Sequence, residues 1–161
     1  GQLADFFAVM QSVETYKDWM PDTETSRMIA RKSETNIFYY VETDAPWPVS
    51  NRDATYSMVM KYRPNEKAVY CTVKALTGIL PEVSGVVRMT RADGYWKFRE
   101  MGNGQVEVTL QIHAEPGGNI PGWLANTSVT STPIETLLSL AKEVKNPRYH
   151  NQKFEFLTLA Q

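Results

Sequence analysis

The sequence predicts an α+β fold in which helices cover one side of a single antiparallel sheet, and three patterns predict it. The chain opens with apolar residues at helical spacing. It continues for about a hundred residues in strand-like alternation, then returns to helical spacing beyond Gly117-Gly118. A sheet and a helix each have one apolar side, and stacking them in layers buries both.

In the first helix Leu3, Phe6, Phe7, Met10 and Val13 recur three and four residues apart. Ile37-Phe38-Tyr39-Tyr40-Val41 is an aromatic and β-branched run, the composition of a strand, and a turn at Pro46-Trp47-Pro48 follows it. From 54 to 63 the alternation is clean. Ala54, Tyr56, Met58, Met60 and Tyr62 share one face, with Thr55, Ser57, Lys61 and Arg63 on the other. After a turn at Pro64-Asn65-Glu66, residues 68–76 form a further strand. Residues 77–85, with Pro81 and two glycines, read as a loop. Residues 86–90 and 95–101 read as strands joined through Ala92-Asp93-Gly94, which has hairpin-turn chemistry. Gly102-Asn103-Gly104 is a second tight turn, after which Val106, Val108, Leu110 and Ile112 alternate with Glu107, Thr109, Gln111 and His113. Tight turns between successive strands imply an antiparallel meander, because parallel pairing needs a long crossover. Ile134, Leu137, Leu138, Ala141 and Val144 mark the long C-terminal helix. It starts at Thr132-Pro133-Ile134-Glu135 with proline in its first turn, or near Pro121 with Pro133 as a kink. Beyond Pro147 only an apolar patch at 154–159 stands out.

Composition narrows the function. The 161 residues make one domain, at roughly 100–200 residues per domain. Seventeen Lys and Arg against eighteen Asp and Glu leave a net charge of −1, without the basic excess that binds nucleic acid. With 42% hydrophobic and 11% aromatic residues the chain builds a core and is no disordered tail. Its one cysteine forms no internal disulfide. The longest uncharged apolar runs fall well short of the ~20 residues of a membrane span, so the sequence reads as soluble. Gly1 reads as a processed or engineered start, and a signal peptide removed upstream would make the destination periplasmic.

Sites for catalysis or metal are poorly supplied. His113 and Glu115 form an HxE, but the zinc deaminases that use this pair also need two further cysteines. Cys71 with His113 has the residue types of a nucleophile and base, whereas a lone strand cysteine is commonly a small buried hydrophobe. There is no GxSxG elbow, and Gly117-Gly118-Asn119 lacks the spacing of a phosphate cradle. Asn126-Thr127-Ser128 matches a glycosylation acceptor but adjoins a helix. The face of Tyr56, Met58, Met60 and Tyr62 is either ordinary core or the wall of a ligand pocket. Methionine adapts to irregular shapes, and tyrosine puts a hydroxyl on an apolar surface.

Three segments, in this order and spacing, resemble the START family of StAR-related lipid-transfer domains, its bacterial members most closely. Pro46-Trp47-Pro48-Val49-Ser50-Asn51-Arg52-Asp53 is similar to the turn and Arg-Asp signature that opens a central strand of that family. Gly85-Val86-Val87-Arg88 resembles the strand carrying its buried arginine. Gly117-Gly118-Asn119-Ile120-Pro121-Gly122-Trp123-Leu124 resembles the lead into its long C-terminal helix. Trp19, after the first helix, also fits. The resemblance covers roughly residues 3–146, and the strands that the family carries ahead of its first helix are missing from this chain.

The resemblance implies the helix-grip fold of the START and Bet v 1-like superfamily: a curved antiparallel sheet wrapped around the C-terminal helix, with a lipid-sized cavity between them. It implies no catalytic residue, no metal and no cofactor. The ligand would be a lipid, a sterol-like molecule or another apolar small molecule, touched by Tyr39, Tyr56, Met58, Met60, Leu80, Arg88, Trp123 and Leu124. Residues 77–85, tipped by Ile79 and Leu80, would gate the cavity opposite Trp123 and Leu124 and meet a membrane surface transiently. Many members face an acid and an arginine across the cavity; those positions fall on Tyr39 and Met58, so a less polar cavity is implied. Arg52 reads as structural, bonded to Asp53 and nearby carbonyls. Arg88 reads as a buried structural pair or as a contact to a ligand head group, on the same concave face as Met58. An aromatase/cyclase-like enzyme of the same superfamily is the alternative.

Overall fold

The computed structural model describes residues 1–158. Leu3–Gln11 form α1, a single 3-10 turn at Val13–Thr15 follows, and Tyr16–Trp19 form α2. The helix expected through Val13 therefore stops at Gln11, where the Ser12 hydroxyl turns back to the Ala8 carbonyl at 2.9 Å. Seven strands come next: β1 (Thr23–Ser33), β2 (Asn36–Thr43), β3 (Arg52–Arg63), β4 (Ala68–Leu76), β5 (Val87–Arg88), β6 (Arg91–Gly102) and β7 (Gln105–Glu115). The long helix α3 spans Gly122–Glu143, and a last short turn, α4, spans Glu155–Thr158. Of the two expected starts for the long helix, the one near Pro121 is observed, with Pro133 inside it.

The strands pair in the order β1-β2-β3-β4-β6-β7, all antiparallel, in a curved sheet. β5 is the exception to the expected meander. The chain from 77 to 86 carries it back to the start of β3, where it pairs in parallel through Arg52↔Val87 and Asp53↔Arg88. The expected hairpin at Ala92-Asp93-Gly94 does not form: all three residues lie within β6, paired in turn to Ala114, His113 and Ile112 on β7. Gly94 is there for another reason. A Cβ on it would lie 2.2 Å from the Gln111 carbonyl oxygen, so only glycine permits this close approach of β7.

Register assigns the faces. Met58 lies opposite Ile37 and Val73, Tyr56 opposite Tyr39 and Ala75, Met60 opposite Cys71, and Cys71 opposite Trp96. These residues share the inner face, which packs against α1 and the C-terminal half of α3 to make one core. Register also sorts the two ends of the sheet. The loops 44–51, 77–86 and 116–121 share one end, here the loop end. At the other end the turns after β1, β3 and β6 meet α1 and the segment beyond α3.

That closed end is sealed by residues in which the sequence shows only an apolar patch. Phe154 and Phe156 pack on Phe7 with ring centroids 4.3 and 4.4 Å away. The Glu34 carboxylate, in the β1–β2 turn, accepts hydrogen bonds from the backbone N–H groups of Glu155 and Phe156, each at 3.0 Å. Leu159, the last residue of the expected patch, lies outside the described residues. Phe7→Ala empties the point where α1 meets the segment beyond α3 and should cost about 3–5 kcal/mol. Urea unfolding measures that loss, and limited proteolysis should then cut first near residue 154.

Candidate functional site

The site builds from the inner face outward. Tyr39 and Tyr56 are cross-strand partners on β2 and β3, so their rings stack, with centroids 5.3 Å apart. Tyr16 meets Tyr39 edge-on at 5.7 Å, and Trp19 meets Tyr16 edge-on at 5.7 Å. The result is an aromatic row, Trp19–Tyr16–Tyr39–Tyr56, running from α2 across the sheet. Tyr16 donates its hydroxyl proton to the Met10 carbonyl at 2.5 Å. Burial, then the neighbouring Tyr16 phenol, pushes the Tyr39 hydroxyl well above its ordinary pKa. Burial and the Asp53 charge push Tyr56 up to about 12. Both phenols therefore stay neutral. Met58 and Met60 lie beside this row, deeply buried towards the closed end.

Towards the loop end the cover thins along β7 and α3. Val108 and Leu110 are half-buried and Ile112 is 56% exposed, although all three are inner-face residues. On α3, Thr136 and Leu140 are buried, whereas Trp123 near its start is 60% exposed and Leu124 half-buried. The helix grips the sheet with its C-terminal half only. Thr127 and Thr130 on its exposed half return their hydroxyls to the Trp123 and Asn126 carbonyls, which places the glycosylation-like sequence inside a helix.

Arg88 takes a different place from the concave one expected. Its β5 neighbour pairing puts it beside Asp53, whose side chain has the parity opposite to Met58. The guanidinium donates to the Asp53 carboxylate from Nε at 2.6 Å and Nη2 at 3.0 Å, and to the Leu80 and Pro81 carbonyls at 3.0 Å each. Tyr40 adds its hydroxyl to Asp53 at 3.0 Å. The two charged side chains are only 8% and 1% exposed, and the bonds to Asp53 hold the Arg88 pKa above its ordinary value. Arg88 thus fastens the 77–86 loop to β3. In that loop Leu80 is half-buried and Ile79 more exposed.

Arg52 does bind carbonyls, of Ser50 (2.5 Å), Gly117 (2.8 Å) and Pro116 (3.3 Å), but not Asp53, because adjacent strand residues face opposite ways. It borders a surface recess of about 530 Å³ with Val49, Val87 and Ile120 at the loop end. A second recess, about 600 Å³, lies between Phe6, Val106 and Val144 at the closed end. Neither touches the aromatic row. Cys71 and His113 lie on opposite faces, the thiol buried and pushed upward in pKa by that burial, the imidazole exposed and 4.0 Å from Glu115. They cannot act as a pair.

A curved antiparallel sheet gripping a C-terminal helix, with an aromatic inner face, is the helix-grip architecture. Comparison with known proteins gives the family within it. The START domain family model matches residues 3–149, and the chain belongs to the START family. It is 31% identical over 140 residues to an uncharacterised protein of Pseudomonas aeruginosa, covering 87% of this chain and 68% of that one. It is 24% identical to the mouse phosphatidylcholine transfer protein, over 89% of this chain and 67% of the relative. The crystal structure of a STAR-related lipid transfer protein fragment from Xanthomonas axonopodis superposes with a TM-score of 0.81 at 36% identity, covering 91% of this chain and 81% of that one.

Sequence reasoning brought Tyr39, Tyr56, Met58 and Met60 to one face correctly, since period-two alternation needs no distant information. It missed the tethering role of Arg88 and the position of Trp19 at the end of the aromatic row. Replacing Arg88 with Met leaves the Asp53 carboxylate buried without a counter-charge and should cost about 3–5 kcal/mol. The check is the urea midpoint, and Arg88→Met combined with Asp53→Leu should cost less than Arg88→Met alone.

Proposed function

We propose that this chain is a carrier: it takes a hydrophobic ligand between the inner face of the sheet and α3, and passes it between membranes. The observation that carries the reading is the uncovered apolar stretch at the loop end, where Ile112 on the sheet and Trp123 on the helix are both more than half exposed. Apolar surface left in water gains about 25 cal/mol per Å² when a lipid covers it. START membership and the lipid-transfer names of the relatives support the same reading. The aromatase/cyclase alternative is less well supported. Folding a poly-carbonyl chain needs a general acid or base in the pocket. The inner positions of the central strands carry phenols but no carboxylate, imidazole or amine.

In this reading the 77–86 loop is the gate. Ile79, Leu80 and Val83 give it an apolar surface, and it shares the loop end with Trp123 and Leu124. A lid that opens at a bilayer controls exchange more than affinity. Leu80→Asp should therefore slow lipid transfer between vesicles by tenfold or so. Equilibrium binding of a soluble lipid analogue should stay within about twofold, since Arg88 holds this residue by its backbone carbonyl. Both are measured on the same variant. Unchanged transfer with lost binding would make Leu80 part of the pocket instead.

A further inference from the structure

The polarity of the inner face selects among lipids. At positions 37–43 of β2, 54–62 of β3, 69–75 of β4, 92–98 of β6 and 106–114 of β7, every inward residue is uncharged. The charges flanking these rows lie at their ends or on the edge strand β1, where Arg31, opposite Ile37, is exposed and donates to the Gln11 side chain of α1 at 2.6 Å. Arg52 is held by three backbone carbonyls at the loop end, and Glu100 is exposed at the closed end. Asp5, buried on α1, accepts the Gln2 N–H at 2.8 Å at that same closed end. Arg88, the other buried cation, has the opposite parity and is spoken for by Asp53.

Neutral hydrogen-bonding groups are present and unused. Trp19 Nε1 is a buried donor with no hydrogen-bond partner among the described residues. The Tyr39 and Tyr56 hydroxyls make no hydrogen bond among the described residues either. An orphaned N–H in a core is unfavourable, and native proteins rarely keep one unless something else supplies the acceptor. All three groups belong to the one aromatic row.

We infer that the ligand is an uncharged lipid whose polar end carries an acceptor oxygen, a hydroxyl or a carbonyl, received by Trp19 Nε1 and the Tyr39 and Tyr56 hydroxyls. This rests on the carrier reading above and narrows it. A phosphate or quaternary ammonium drawn onto these central rows would lose its hydration and find no side chain of opposite charge there to replace it. A neutral oxygen loses far less and satisfies a donor that is otherwise wasted. The chain thus parts from the relatives whose name specifies phosphatidylcholine.

The test offers the purified protein vesicles of a total bacterial phospholipid extract doped with cholesterol and with a diacylglycerol, re-isolates the protein, and reads the bound masses by native mass spectrometry. The expected result is a one-to-one complex with a neutral lipid and at least tenfold less phospholipid. Phospholipid bound equally or better overturns the inference and leaves the carrier reading standing. No lipid bound at all overturns the carrier reading itself. Trp19→Phe keeps the ring and removes the donor, so it should lower neutral-lipid occupancy about threefold to tenfold. The Tm of the ligand-free protein should hold or rise, because the orphaned donor is gone. A fall in Tm with unchanged occupancy would make Trp19 merely structural and sink its assignment. Tyr39→Phe and Tyr56→Phe should each lower occupancy in the same way, and unchanged occupancy in both would overturn the inference.

Discussion

The Arg88–Asp53 pair is the interaction on which the architecture of the loop end depends. It ties the loop at Leu80 and Pro81 to three strands already paired through their backbones: β5, the start of β3, and β2 through Tyr40. Two charges removed from water are stable only when geometry and hydrogen bonding are both good. Here the carboxylate accepts from Nε and Nη2 along one edge of the guanidinium and from a phenol, while Nη1 and Nη2 also reach the Leu80 and Pro81 carbonyls. The same satisfaction that makes the pair tolerable makes the loop's root rigid. Any motion of the loop must therefore come from its exposed part, between the flexible Gly78 and Gly85, both at positive φ.

The two ends of the sheet divide the labour. At the closed end aromatic rings from α1 and from residues beyond α3 fill the space between sheet and helix. At the loop end the same inner face emerges towards solvent along β7, and α3 stands clear of it. A ligand lying along the inner face would thus meet packed side chains on one side and an exposed apolar rim on the other, a geometry that favours entry and exit through a single opening.

What could be read from the sequence depended on how local its cause was. The strand at 68–76 appears with the bounds expected, because alternation and its flanking turn are both local. Asp93-Gly94 misled for an instructive reason: the dipeptide that favours a tight turn is here a strand dipeptide, with the glycine required by β7 coming too close for any Cβ. β1 did not stand out as a separate strand because much of it is exposed, and edge strands keep polar residues on both faces. The face of Arg88 could not be read because a ten-residue loop precedes it, and alternation carries no phase across a loop. Phe154 and Phe156 take their packing role from Phe7, far away in sequence.

That last separation bears on how the molecule is made. During synthesis, at roughly 5–20 residues per second, α1 emerges ahead of the sheet with Phe7 among its apolar residues. The rings that cover Phe7 are produced some 150 residues later. Until then the first helix has only the growing sheet to lean on, and the closed end stays unsealed. The Glu34 carboxylate waits in the β1–β2 turn for backbone donors that do not yet exist. A nascent chain of this kind leaves the Phe7 ring uncovered until α4 is released, and over that interval the aromatic surface is open to contacts with other chains.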